Sequence, residues 1–111
     1  MTTEQARRGP RPWSPLPPNL SEKAWQQVVL DLAGWRGWRT YHPFDSRRST
    51  PGWPDLVLVR RGRLLVAELK TATGRVSADQ QAWLTDLSAC PGVEVFVWRP
   101  SAWPAVQEVL A

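Results

Sequence analysis

Apolar residues recur along this chain in two rhythms. Leu20, Ala24, Trp25, Val28, Val29 and Leu32 fall at three- and four-residue intervals. That spacing predicts an amphipathic helix that begins near Asn19 to Ser21 and ends near Ala33, with Gly34 as its C-terminal stop. Gln80, Trp83, Leu84 and Leu87 repeat the pattern i, i+3, i+4, i+7 and predict a second helix from Ser77 to about Ala89, halted by Pro91-Gly92. Elsewhere the period shortens to two. Trp38 to Phe44, Asp55 to Arg60, Arg63 to Lys70 and Val93 to Trp98 read as strands, and a short helix from about Trp103 to Leu110 follows. The order αβββαβα predicts an α/β fold with a mixed central β-sheet flanked by helices. The connection from Lys70 to Val93 is long enough to cross over to a parallel strand.

The stretch Pro51 to Lys70, PGWPDLVLVRRGRLLVAELK, carries the densest information. Two Leu/Val-rich runs separated by Arg61-Gly62 form a β-hairpin with a two-residue turn. Arg60 then faces Arg63, Val57 faces Val66 and Asp55 faces Glu68, with the two acidic Cβ atoms about 5 Å apart. Lys70, two residues beyond Glu68, projects from the same face. A three-residue turn would instead put Asp55 and Glu68 on opposite faces. Opposed carboxylates repel, and a divalent cation held by oxygen ligands is one reason to place them together. The other reading is that Asp55 and Lys70 cap strand ends while Glu68 pairs with Lys70 on a wet face, and the hairpin alone does not separate the two.

Composition narrows the setting. The 111 residues suit one domain with a modest core, and a dimer would help bury the eight tryptophans. Lys plus Arg outnumber Asp plus Glu by 14 to 10, giving +4, and all the basic residues except Lys23 and Lys70 are arginine. An arginine-rich positive surface favours a polyanionic partner through bidentate phosphate contacts. The single cysteine, Cys90, excludes an internal disulfide, and no Cys/His cluster has zinc spacing, which fits a cytoplasmic, reducing compartment. No apolar run approaches a membrane span. Residues 1–18 combine five prolines with Arg7, Arg8 and Arg11 and read as a flexible arm, leaving residues 19–111 as the folded domain.

Two further polar residues border the predicted core. Glu22 lies beside Trp25 on the helical stripe, although Asn19 and Glu22 also have capping-box spacing. Gln80 sits on the stripe that faces the sheet, where an inward amide needs a partner, and it too has capping-box spacing, from Ser77. Arg47 and Arg48 occupy the polar loop DSRRSTPG that delivers the chain into Asp55. His42, the only histidine, has no local partner that would make it catalytic.

Taken together, Glu22, Pro54-Asp55, Glu68-x-Lys70 and Gln80 resemble the PD-(D/E)XK nuclease superfamily, with its restriction-endonuclease-like core. Within it, GWPDLVLVRRGRLLVAELK, SEKAWQQ and SADQQAW are similar to the hairpin, opening helix and glutamine helix of the VRR-NUC family of small stand-alone nucleases, often phage-encoded. The resemblance covers roughly Leu20 to Leu110. It implies a Mg²⁺-dependent DNA endonuclease, with Mn²⁺ able to substitute, acting on structured or branched DNA such as a four-way (Holliday) junction as a homodimer. Asp55 and Glu68 would bind the metal with the Leu69 carbonyl and, directly or through water, Glu22. Lys70 would position or deprotonate the attacking water, and Gln80 would hold Lys70 or that water. Arg47, Arg48 and Arg75 would contact phosphates. The alternative is a non-catalytic nucleic-acid-binding module on the same fold.

Overall fold

The computed structural model describes residues 15–43 and 50–111. Residues 1–14 and 44–49, among them Arg47 and Arg48, lie outside the described residues. In chain order the elements are α1 (Glu22–Trp35), β1 (Arg39–Tyr41), β2 (Leu56–Arg60), β3 (Arg63–Leu69), α2 (Ala78–Ser88), β4 (Val93–Trp98), a 3-10 turn (Pro100–Ala102) and α3 (Trp103–Leu110). The four strands make one sheet in the order β1-β2-β3-β4. β1 to β3 pair antiparallel and β4 joins β3 in parallel, so the sheet is mixed.

The hairpin turn sets the register. Arg61 at φ 49° and Gly62 at φ 79° both adopt the left-handed conformation that a two-residue turn of this hand requires, a conformation glycine tolerates best. Arg60 consequently faces Arg63 and Val57 faces Val66, as the two-residue turn predicts, and the ladder ends at Leu56 opposite Ala67. Alternation then sorts the side chains. Leu56, Leu58, Leu65, Ala67 and Leu69 point to one face, where they form the main core with Trp25, Val29 and Leu32 of α1 and Trp103, Val106 and Leu110 of α3. Each of these large side chains contributes roughly 1.5–3 kcal/mol when fully buried. On the other face lie Val57, Val66 and Glu68, with α2 packed against β4 and Leu84 buried beneath it.

Helix α1 starts within the expected range and runs past its expected end. Ser21, not Asn19, is the N-cap, its hydroxyl accepting from the Ala24 N–H at 3.1 Å. Gly34 lies inside the helix rather than ending it. The stop is Gly37 at φ 80°, where Gly37 N–H donates to Gly34 O (3.2 Å) and Trp38 N–H to Ala33 O (2.9 Å). These two bonds are a Schellman motif, and they turn Trp38 into the core.

β1 is also shorter than the predicted Trp38 to Phe44. Trp38 is buried and its indole N–H donates to Leu110 O at 3.0 Å, so it closes the helix end instead of opening the strand. Tyr41 pairs with Val57, and the next hydrogen-bonding position on this edge falls to Pro43, which has no N–H to donate. Burial of tryptophan needs no second copy to the extent composition suggested. Of the seven described tryptophans, Trp25, Trp38, Trp98 and Trp103 are buried within the single chain. Leu16, which the sequence places in the arm, packs against the same core.

Candidate metal centre

Asp55 stands one residue before β2, and the register carries it opposite Glu68, the penultimate residue of β3. A side-chain bond replaces the ladder here, because Asp55 Oδ2 accepts from the Leu69 N–H at 2.8 Å and leaves Oδ1 for the site. Proline at position 54 matters for the same reason. In this register the Leu69 N–H and C=O point toward the strand that Pro54 would continue, and proline cannot donate to that carbonyl. One backbone acceptor therefore remains at the end of β3, beside the two carboxylates.

Glu22 completes the group. Carboxylate oxygens of Glu22, Asp55 and Glu68 lie within 4.8 Å of one another. Glu68 is only 1% exposed, and neither of its oxygens meets a hydrogen-bond donor. Burial first, then the Asp55 carboxyl, which can share a proton with a protonated Glu68 and repels an ionised one, push the Glu68 carboxyl up to about 9; repulsion from Glu22 adds to this, while nearby Lys70 pulls it down. A buried carboxylate of this kind needs either a proton shared with Asp55 or a cation. Three hard oxygen donors converging from different elements suit a divalent ion such as Mg²⁺ or Mn²⁺.

What delivers Glu22 to the sheet is the start of α1. With Ser21 as the cap, Glu22 is the first helical residue and does not serve the capping box that its spacing from Asn19 suggested. Three residues on, the Trp25 indole N–H donates to Trp98 O at 2.9 Å, and the same carbonyl accepts from the Lys70 N–H at 3.0 Å. One oxygen thus ties the first turn of α1 to the point where β3 releases Lys70. Trp25→Phe removes the indole bond while keeping most of the packing. The expected loss is about 1 kcal/mol, seen in thermal denaturation as a midpoint lowered by roughly 4–8 °C; an unchanged midpoint would show that packing alone holds the helix.

The remaining expected site residues are placed unevenly. Lys70 follows β3 directly, and its link onward is braced by Arg99, whose guanidinium donates to Thr71 O and Gly74 O, both at 2.7 Å. Gln80 lines a cavity shared with Asp55, but its amide oxygen accepts from the Ser77 N–H at 2.8 Å in a complete capping box. The partner that an inward amide required is therefore its own helix cap, and only the amide NH₂ is left for the site. Arg75 is exposed on the link between β3 and α2.

Two residues of this cavity escaped the sequence reading. Gln26 is four residues after Glu22 and thus on the same helical face, a relation that could have marked it. Trp53 precedes Pro54-Asp55 and carried no local signal beyond being aromatic.

A buried acid facing a half-buried one at the end of a mixed sheet, a third acid from the first helix and a lysine two residues on define the class to which the comparisons point. The family model of the VRR-NUC domain matches residues 13–102. No curated protein and no solved structure matches the chain significantly. The match covers most of the sequence and implies a nuclease domain of the PD-(D/E)XK type, a class that uses divalent metals on DNA. The chain belongs to the VRR-NUC domain family.

Proposed function

We propose that this chain is a Mg²⁺-dependent endonuclease that hydrolyses phosphodiester bonds in structured or branched DNA, four-way junctions included. The observation that carries the proposal is the buried Glu68 carboxylate, without a donor, gathered with Asp55 and Glu22 beside Lys70. Asp55, Glu68, the Leu69 carbonyl and Glu22 would hold the ion, and Mn²⁺ would substitute for it. When bound, a divalent ion supplies charge neutralisation at phosphate oxygens and lowers the pKa of water.

The chain's own residues do the rest. The Leu69 N–H fixes the Asp55 carboxylate so that one oxygen stays available. Lys70 would orient the attacking water or help to deprotonate it, while the amide NH₂ that the cap leaves to Gln80 would hold Lys70 or that water. Preorganised donors and charges of this kind act on the transition state without reorganising during the reaction. Arg75, with Arg47 and Arg48, holds phosphates, so cleavage follows the shape of the DNA more than its bases. The nuclease domain comprises residues 19–111, with Leu16 ahead of it packed against the same core. Cutting both strands of a four-way junction needs two sites, which a homodimer provides.

Incubating the protein with labelled four-way, flap, duplex and single-stranded DNA, with Mg²⁺, Mn²⁺ or EDTA, tests the proposal. Cleavage is expected with either ion, strongest on branched DNA and absent in EDTA. Cutting that survives the chelator would overturn the metal assignment. Binding without cutting under every condition would establish the non-catalytic module instead.

A further inference from the structure

Beside the carboxylates the structure holds a cavity of about 150 Å³, lined by Trp53, Asp55, Gln26, Thr50 and Gln80 among others. Its aromatic wall is built rather than incidental. Trp53 N–H donates to Thr50 O at 3.1 Å, which closes the turn that precedes it. Gly52, at φ 83°, lies so close to the start of α2 that any Cβ there would collide with the Asp79 backbone. The Trp53 ring meets Trp83 edge-on, with centroids 4.9 Å apart at 84°. Three restraints from two elements thus hold a large flat side chain that remains partly exposed in a cavity shared with Asp55.

Trp53 lies outside the main core cluster, and its open part lines the same cavity as Asp55. Ligand pockets for drug-sized molecules measure about 300–1,000 Å³, so this cavity admits a single flat ring system rather than a larger group. Its polar rim offers amide and hydroxyl groups, from Gln26, Gln80 and Thr50, suited to the edge of a heteroaromatic ring. An indole face and such an edge are the two surfaces that bind an unstacked base.

We infer that the Trp53 cavity receives one unpaired nucleobase next to the scissile phosphate, and so selects DNA in which a nucleotide at the cut is free to leave the stack. The inference rests on the proposed DNA cleavage and names its substrate feature. It makes Trp53 a specificity-determining residue. Fully paired DNA must give up a stacked pair to fill the cavity, whereas a flap presents an unpaired base at no such cost.

The test is a scan in EDTA, where no cutting is needed. Flap DNA carrying a single 2-aminopurine at successive positions around the branch is titrated with the full chain. Quenching confined to the unpaired nucleotide at the branch is expected, with Trp53→Ala abolishing it and Trp53→Phe retaining most of it. Uniform signal along the scan, or equal quenching by Trp53→Ala, overturns the inference. The wild-type scan and the Phe variant decide the matter even where Trp53→Ala does not fold. In Mg²⁺, Trp53→Ala should raise KM for the flap by roughly 5- to 100-fold with kcat little changed, and leave KM for paired duplex unaltered. An equal KM rise on both substrates assigns Trp53 a structural role instead. Failure of the nuclease proposal looks different, as no cleavage of any DNA whatever the scan reports.

Discussion

Lys70→Met should lower cleavage of branched DNA by about 10²–10⁴-fold, the range that a positioned acid–base group contributes, while binding at low salt persists. The argument begins with the backbone. The Lys70 N–H is anchored to Trp98 O, and the link beyond it is braced by Arg99, so the side chain leaves β3 from a fixed point. Its charge is felt by the buried Glu68 carboxyl, which places the ammonium near the acid cluster. Methionine keeps the apolar stem and removes only the charge and donors. Asp55→Ala should abolish cutting as well, with a second consequence, since it also strips the Leu69 N–H of its acceptor. Single-turnover cleavage measured beside a binding titration separates the outcomes. Full activity in either variant removes that residue from the site, and joint loss of binding and cutting points to a folding defect.

The second large effect concerns acidity. Without metal, the protein should lose stability as the pH rises from about 5 to about 8. The folded-state value of the Glu68 carboxyl, about 9, lies above its ordinary 4.5. The native state therefore binds the proton more tightly than the unfolded chain does. This contribution is fully present below the unfolded value, declines as the pH rises between the two values, and is lost once the pH passes the folded one. One proton gives a limiting slope of about 1.4 kcal/mol per pH unit. Calorimetry in EDTA across this range should show a falling midpoint for the wild type and a flat one for Glu68→Gln. Adding Mg²⁺ at the alkaline end should restore the wild type and leave the variant unmoved. A flat wild-type profile would show that Glu68 ionises without strain.

Much of the sheet was legible because its determinants are local. Arg61-Gly62 sets the turn, the turn sets the register, and the register carries Asp55 to Glu68. The helix ends were harder. Gly34 and Gly37 both have the composition of a stop, and the choice between them depends on whether Trp38 can reach the core, which is a tertiary fact. Trp38 to Phe44 has the composition of a strand, yet among the described residues of that stretch only Arg39 to Tyr41 pair with β2, and Pro43 has no N–H to use the next position. Glu22 and Gln80 each carried two compatible readings. Geometry separated them differently: Ser21 relieves Glu22 of capping, whereas Gln80 keeps its cap while lining the cavity. Gln26 and Trp53 meet in that cavity from elements 27 positions apart, a proximity that no local period encodes.

The joint at Trp98 has a consequence for how this domain can vary. The oxygen that receives both the Trp25 indole and the Lys70 N–H belongs to the backbone. Every amino acid supplies that same acceptor, so substitutions at position 98 disturb the packing without deleting the junction. Sequence drift can reach the joint only from the donor side, through Trp25, because a backbone N–H persists at position 70 for every residue except proline. Variation at position 98 and constancy at position 25 are therefore the pattern this geometry permits.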